Sequence, residues 1–168
     1  MNKALFLDRD GVVNIDRHFV IHREDFEFTD GFFELCRYFL DRNYLIIIIT
    51  NQSGVARGYF LENDLTALHK YIINELLKEK ITITDIFYCT ALDDIHPDRK
   101  PNAGMFLKAR DKYNIDMSCS VSIGDKERDI KAAKMAGVGM NVLLAKNSIE
   151  TSAEYTVRSL REVSALCM

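Results

Sequence analysis

The stretch ALFLDRDGVVN, residues 4–14, carries an apolar run straight into Asp8, Arg9 and Asp10. Buried acids are costly unless a cation meets them. The end of this run therefore needs a positive partner, and whatever supplies it bears on function.

Further runs of the same kind follow. YLIIIIT (44–50), ITDIFYC (83–89), CSVSIGD (119–125) and VGMNVLLA (138–145) are nearly continuous apolar segments. Strands covered on both faces read this way, as in a parallel sheet. Helical patterns lie between them. Leu61, Leu65, Leu68, Ile72 and Leu76 share one stripe, and Phe32, Leu35, Phe39 and Leu40 share another. Asn102 is placed to cap a helix that buries Met105, Phe106, Ala109 and Tyr113. A short Ala-rich helix over 127–136 has Gly137 as its terminating residue. YTV (155–157) adds an edge strand and 158–166 a last helix. The alternation predicts an α/β fold: one doubly wound, Rossmann-like parallel sheet of about five to six strands. It forms a single domain over residues 1–168. Residues 11–30 break the pattern and are expected to form a flap or hairpin after the first strand.

Composition narrows the classes of partner. The chain has 168 residues, 48% hydrophobic and 28% charged, with net charge −3. No global basic field points to nucleic acid. Cysteines 36, 89, 119 and 167 have neither CxxC spacing nor a disulfide pattern, which fits a cytoplasmic protein. Too few apolar residues precede Asp8 for a signal peptide to be expected. YLIIIIT is far shorter than the roughly 20 residues of a membrane span. A monomer without a membrane partner is expected.

In open parallel sheets, ligands bind beyond the carboxyl ends of the strands. Those ends carry Asp8 and Asp10; Thr50, Asn51, Gln52 and Ser53; Arg99 and Lys100 after a loop; and Gly124, Asp125 and Lys126. Asp8, Asp10 and Asp125 would repel one another unless neutralised, and a hard cation such as Mg²⁺ removes the conflict. Strand alternation puts positions 8 and 10 on one side and sends Arg9 elsewhere. A carboxylate beside a metal suggests phosphoryl transfer through an aspartyl-phosphate. Asp10 is placed to protonate the leaving group and then to activate water. Thr50, Lys100 and loop amides can meet the charge on the phosphoryl oxygens.

DRDGVVN (8–14), TNQSGVARG (50–58), RKPNAGM (99–105) and GDKERD (124–129), in this order, resemble the haloacid dehalogenase superfamily of phosphatases. More narrowly, they are similar to the D-glycero-D-manno-heptose 1,7-bisphosphate phosphatases; the related histidinol-phosphate phosphatases share most of the pattern. The resemblance spans about residues 4–145. It implies that Asp8 is the nucleophile and Asp10 the general acid and base. Asp8, the Asp10 carbonyl and Asp125 would hold Mg²⁺, and Thr50 and Lys100 would stabilise the transferred group. Asp16, Arg17, His18, Phe19, Asn51, Gln52, Ser53, Arg99 and Lys126 fall on substrate-contacting positions. Arg99 would recognise the remote phosphate or the sugar. The family lacks a large cap domain and uses loops instead. The implied reaction is hydrolysis of the 7-phosphate of D-glycero-D-manno-heptose 1,7-bisphosphate, in heptose supply for lipopolysaccharide. The alternative is histidinol phosphate or another small sugar phosphate.

The chain departs from the family pattern at one place. Many members hold a structural zinc with three Cys and one His before RKP. Here YCTALDDIHPDRKP (88–101) keeps Cys89 and His96 alone, so no structural zinc is expected. Arg57, between Gly54 and Gly58, is either a substrate contact or a solvated loop residue. Asp129, four residues after Asp125, is a partner of the metal site or of Lys126, or a dipole-favoured helix acid. His69 is expected on the polar side of its helix, and His22 and His96 in exposed loops. A phosphoryl-binding module without turnover would lack Asp8 or Asp10, and both are present.

Overall fold

The computed structural model describes residues 1–167. Six strands form the sheet: β1 (Lys3–Leu7), β2 (Tyr44–Asn51), β3 (Asp85–Cys89), β4 (Val121–Gly124), β5 (Met140–Leu144) and β6 (Tyr155–Val157). All pairs are parallel, in the order β3-β2-β1-β4-β5-β6. The chain steps outward from β1 to β3, then crosses back to place β4 on the other side of β1. That reversal makes the carboxyl end of β1 the switch point, where a crevice opens.

Both faces of the sheet are covered, which explains why its strands are continuously apolar. On one face Leu5, Leu7, Ile46 and Ile48 pack with α1 (Phe32–Leu40) and α2 (Glu62–Lys78). On the other, Ala4, Phe6, Ile47 and Ile49 pack with α3 (Gly104–Tyr113) and α4 (Glu127–Met135). A one-residue slip of β1 against β2 would exchange the two sets, so the register Leu5↔Ile46 and Phe6↔Ile47 is fixed by packing. No large cap is inserted among the described residues. Residues 8–31, 52–61 and 90–103 are loops at the carboxyl edge. Among the described residues, no helix is long and apolar enough to cross a membrane.

Five local expectations change or narrow. Met117–Cys119 forms a 3-10 turn capped by Asp116, so β4 starts at Val121. β3 starts at Asp85. Asn102 does not cap α3: the cap position is Ala103, and the Asn102 amide instead donates to the carbonyls of Asp94 and His96 at 2.6 and 3.0 Å. The last helix shrinks to α5 (Val163–Leu166), preceded by a 3-10 turn at Leu160–Glu162. The flap is no hairpin: residues 11–30 contain isolated bridges, such as Asn14 to Phe28, and one 3-10 turn at Arg23–Asp25. Gly137 ends α4 with φ 85°, as expected.

Candidate active site

β1 delivers Asp8, whose N–H still bonds the Ile123 carbonyl of β4 at 3.0 Å. The chain then folds back, with the Arg9 carbonyl accepting from the N–H groups of Val12, Val13 and Asn14. Two glycines make room for the acids at the ends of β1 and β4. A Cβ on Gly11 (φ 92°) would lie 2.3 Å from Asp125 Oδ2, and one on Gly124 would lie 2.3 Å from Asp129 Cβ.

The cation required by the opening stretch is Lys100, 2% exposed. Its Nζ donates to Asp8 Oδ1 at 2.8 Å and to the Ile49 carbonyl at 2.8 Å, and lies 2.7 Å from Asp129 Oδ1. Those contacts use all the N–H donors of an ammonium. Asn51 clamps the Lys100 backbone to β2, its Oδ1 accepting from the Lys100 N–H and its Nδ2 donating to the Lys100 carbonyl, both at 3.0 Å.

One lysine does not neutralise this cluster. Oxygens of Asp8, Asp125 and Asp129 lie within 4.8 Å of one another. Asp129 is committed: Oδ1 meets Lys100, and Oδ2 accepts from the Lys126 N–H at 3.0 Å. The ion pair with Lys100 is a role that none of the readings for Asp129 named; the bond from the Lys126 N–H makes it a partner of Lys126 through the backbone as well. Asp125 Oδ1 is buried with no hydrogen-bond partner among the described residues. Burial, then the charge of Asp129, pushes the Asp8 carboxyl up to about 6. Burial, then the charges of Asp8 and Asp129, pushes Asp125 up to about 8. An orphaned oxygen beside a second strained carboxylate fits a hard divalent cation. Asp8 and Asp125 have the oxygens to hold it.

Asp10 is held separately. Oδ1 accepts from Arg9 Nη2 at 2.8 Å and Asn14 Nδ2 at 3.0 Å, and Oδ2 accepts from Gln52 Nε2 at 2.9 Å. Burial opposes ionisation here. The Arg9 charge and these hydrogen bonds outweigh it and hold the carboxyl below its usual range. Arg9 was expected to point away from the two acids. The strand ends at Leu7, so strand alternation does not reach it, and its guanidinium turns onto Asp10.

A cleft of about 230 Å³ opens over Asp8 and Asp10. Of the residues singled out in the sequence, Asp16, His18 and Phe19 line its flap side. Asn51, Gln52, Ser53 and Arg57 line the side beyond β2, and Arg99 and Lys126 complete the wall. Phe19 (φ 51°) follows His18 (φ 58°), and its ring meets Tyr59 edge-on at 4.8 Å. Arg57 thus faces the cleft, with only a 3.4 Å contact to Ser53 Oγ. Arg99 is held by its own short loop, Nε donating to Asp94 Oδ1 at 2.7 Å and Nη1 to the Ala91 carbonyl at 2.9 Å. Lys126 Nζ lies 3.6 Å from Asp16 Oδ2.

Other expected residues lie off the wall. Thr50 is buried behind Gln52, whose Nε2 donates to its hydroxyl at 2.8 Å. Lys100 sits behind Asp8, and Asp125 faces a neighbouring cavity that also borders Gly11 and Asp16. Arg17 is turned out of the cleft: its guanidinium bonds Glu27 and the Asp25 carbonyl, tying the flap to itself. Cys89 Sγ lies 3.7 Å from His96 Nδ1, which accepts from the Asp98 N–H at 3.1 Å.

Arg128, His69 and Asn14 belong to the site without having been singled out for it. Arg128 lines the cleft with its Nε buried and unpartnered; its place in GDKERD was the available signal. His69 does not lie on the exposed polar side of its helix. It is 6% exposed, and its Nε2 is 3.4 Å from Arg9 Nη1. Burial, then the Arg9 charge, pushes its imidazole down to about 3. It follows Leu65 by four residues and so joins the apolar stripe.

A lysine-held carboxylate and a second, independently held carboxylate on one cleft are the parts needed for covalent phosphoryl transfer. Comparisons with known proteins point to phosphatases. The family model for the polynucleotide kinase 3 phosphatase matches residues 6–147. A D-glycero-alpha-D-manno-heptose-1,7-bisphosphate 7-phosphatase of Campylobacter jejuni is 48% identical over 161 residues, covering 96% of this chain and 93% of its own. A D-glycero-beta-D-manno-heptose-1,7-bisphosphate 7-phosphatase of Helicobacter pylori (strain J99) is 43% identical, covering 96% and 95%. The structure of a D,D-heptose 1,7-bisphosphate phosphatase from B. bronchiseptica, complexed with magnesium and phosphate, superposes with TM-score 0.86 at 28% identity. It covers 98% of this chain and 97% of its own.

Proposed function

The chain belongs to the haloacid dehalogenase superfamily and, within it, to the D-glycero-D-manno-heptose 1,7-bisphosphate 7-phosphatases, and from that premise we propose the following reaction. A single domain, residues 1–168, removes the 7-phosphate of the heptose bisphosphate in lipopolysaccharide precursor supply. Asp8 attacks phosphorus. The bond from phosphorus to the sugar oxygen breaks, and Asp10 gives that oxygen a proton. Arg9 and the hydrogen bonds from Asn14 and Gln52 favour the ionised form of Asp10, so the proton arrives with the substrate, whose phosphate titrates at about 6. Asp10 then takes a proton from water, the hydroxide attacks the phosphoryl-Asp8, and phosphate leaves with Asp8 restored.

Asp8, the Asp10 carbonyl and Asp125 would hold magnesium, which would supply positive charge for the phosphoryl oxygens. Lys100 aims Asp8 and adds its charge beside the transferred group. Thr50 acts through Gln52. Asp16, His18, Phe19, Asn51, Ser53, Arg57, Arg99 and Lys126 contact the sugar and the remote phosphate. The observation that carries this reading is the cluster at the switch point: three carboxylates, one lysine and an orphaned Asp125 oxygen. Net charge −3 favours a small sugar phosphate over a polynucleotide. Four unpaired cysteines fit a monomer working in the reducing cytoplasm.

Phosphate release from both heptose bisphosphate anomers, fructose 1,6-bisphosphate and histidinol phosphate, with and without Mg²⁺, tests the reading. The highest kcat/KM is expected on a heptose bisphosphate, with loss of turnover in chelator. Faster turnover of histidinol phosphate would overturn the substrate assignment.

A further inference from the structure

Arg9 is a wholly buried side chain in the immediate neighbourhood of a solvent-facing reaction site. Its guanidinium joins three parts of the molecule. Nη2 donates to Asp10 Oδ1 at 2.8 Å and to the Val20 carbonyl of the flap at 2.8 Å, and Nη1 faces His69 Nε2 of α2 at 3.4 Å. Burying a guanidinium is costly, and its Nε stays unpartnered. An apolar residue would fill this space more cheaply, so the fold alone does not call for it.

The hydrogen bonds at Asp10 indicate what the arginine does. Oδ1 takes two donors, Arg9 and Asn14, and so has both lone pairs occupied. Oδ2 takes one, from Gln52. Oδ2 is therefore the oxygen with a lone pair left for a proton. We propose that Arg9, backed by His69, is the positioning residue that fixes Oδ1 of Asp10 and thereby presents Oδ2 to the departing sugar oxygen. The inference rests on Asp10 being the proton donor of the proposed reaction. The link to Val20 lets the same guanidinium register the flap against that oxygen.

The test uses leaving groups. A sugar alkoxide needs a proton to leave; p-nitrophenolate does not. Values of kcat/KM in saturating Mg²⁺ are compared for the heptose bisphosphate and for p-nitrophenyl phosphate, in wild type, Arg9→Gln, Arg9→Lys and Asp10→Asn. The readout is the ratio of sugar ester to aryl ester. Arg9→Gln is expected to lower this ratio about tenfold or more, within the range a general acid supplies. Arg9→Lys, which keeps the charge but loses the fork, should lower it less. Asp10→Asn sets the limit. Equal losses on both esters for a folded Arg9 variant, with Asp10→Asn still selective, would overturn the proposal and leave the reaction standing. An unselective Asp10→Asn would instead remove the reaction on which it rests. If Arg9→Gln fails to fold, Arg9→Lys decides: an unchanged ratio contradicts the proposal.

Discussion

Asp129 and Lys100 form a buried ion pair, Oδ1 to Nζ 2.7 Å, directly behind Asp8. Lys100 thus serves two carboxylates at once, and its removal leaves both without their cation. Lys100→Met is expected to cost about 3–5 kcal/mol of stability, as for the loss of one partner from a buried pair. Asp129→Asn, which keeps a hydrogen-bonding oxygen facing Lys100, should cost less. Urea unfolding at pH 7.5 in chelator checks both. A Lys100→Met loss below about 1 kcal/mol, the level of an exposed pair, would contradict the pairing.

The metal-free protein should lose stability between pH 6.5 and 8. Asp125 titrates at about 8 in the fold, because burial, Asp8 and Asp129 disfavour its charged form, against about 3.9 in the unfolded chain. Between those values the folded state holds a proton that the unfolded state has released, so stability falls as pH rises. Asp8, at about 6, acts in the same direction but is spent above that value. His69, about 3 folded against 6.5 in isolation, acts oppositely and only below 6.5. The upper window is therefore dominated by Asp125; the buried Cys36 thiol, pushed up to about 12, adds in the same direction only as the pH nears the ordinary thiol value of about 8.5. Thermal unfolding in chelator should show the midpoint dropping from pH 6.5 to 8, with Mg²⁺ restoring more at pH 8. Asp125→Asn should flatten the slope and abolish the Mg²⁺ shift. A flat wild-type profile would show that the carboxylates are not crowded.

Gly11→Ala should damage the metal site more than the fold. The position has φ 92°, where an L side chain costs on the order of 1–2 kcal/mol. The new Cβ would also fall 2.3 Å from Asp125 Oδ2 and displace it. Calorimetric Mg²⁺ affinity is expected to fall at least about tenfold, equivalent to ~1.4 kcal/mol. Unchanged affinity would mean that Asp125 does not hold the ion.

Much of this was legible in the residues. Uninterrupted apolar strands signalled a doubly covered sheet, because Leu5 and Phe6 face different layers and both are buried. Polar strand ends placed Asp8, Asn51, Lys100 and Asp125 together, since a parallel sheet aligns those ends at one edge. Side-chain direction beyond a strand end was not legible. Alternation stops at Leu7, so it could not foresee Arg9 turning onto Asp10 or Arg17 turning away to Glu27. The polarity of His69 points to the solvent side, but its spacing from Leu65 sets it in the buried stripe. Asn102 is a capping residue by type, whereas its amide is taken by loop carbonyls.

The central claim is that Asp8 carries the phosphoryl group. A single turnover of the heptose bisphosphate with Mg²⁺, quenched in acid and mapped by peptide mass spectrometry, tests it directly. The expected result is a phosphoryl group on the peptide containing Asp8, absent in chelator and absent from Asp8→Asn, which also fails to turn over. Phosphate release by Asp8→Asn at the wild-type rate, or a phosphoryl group found on any other residue, would contradict it.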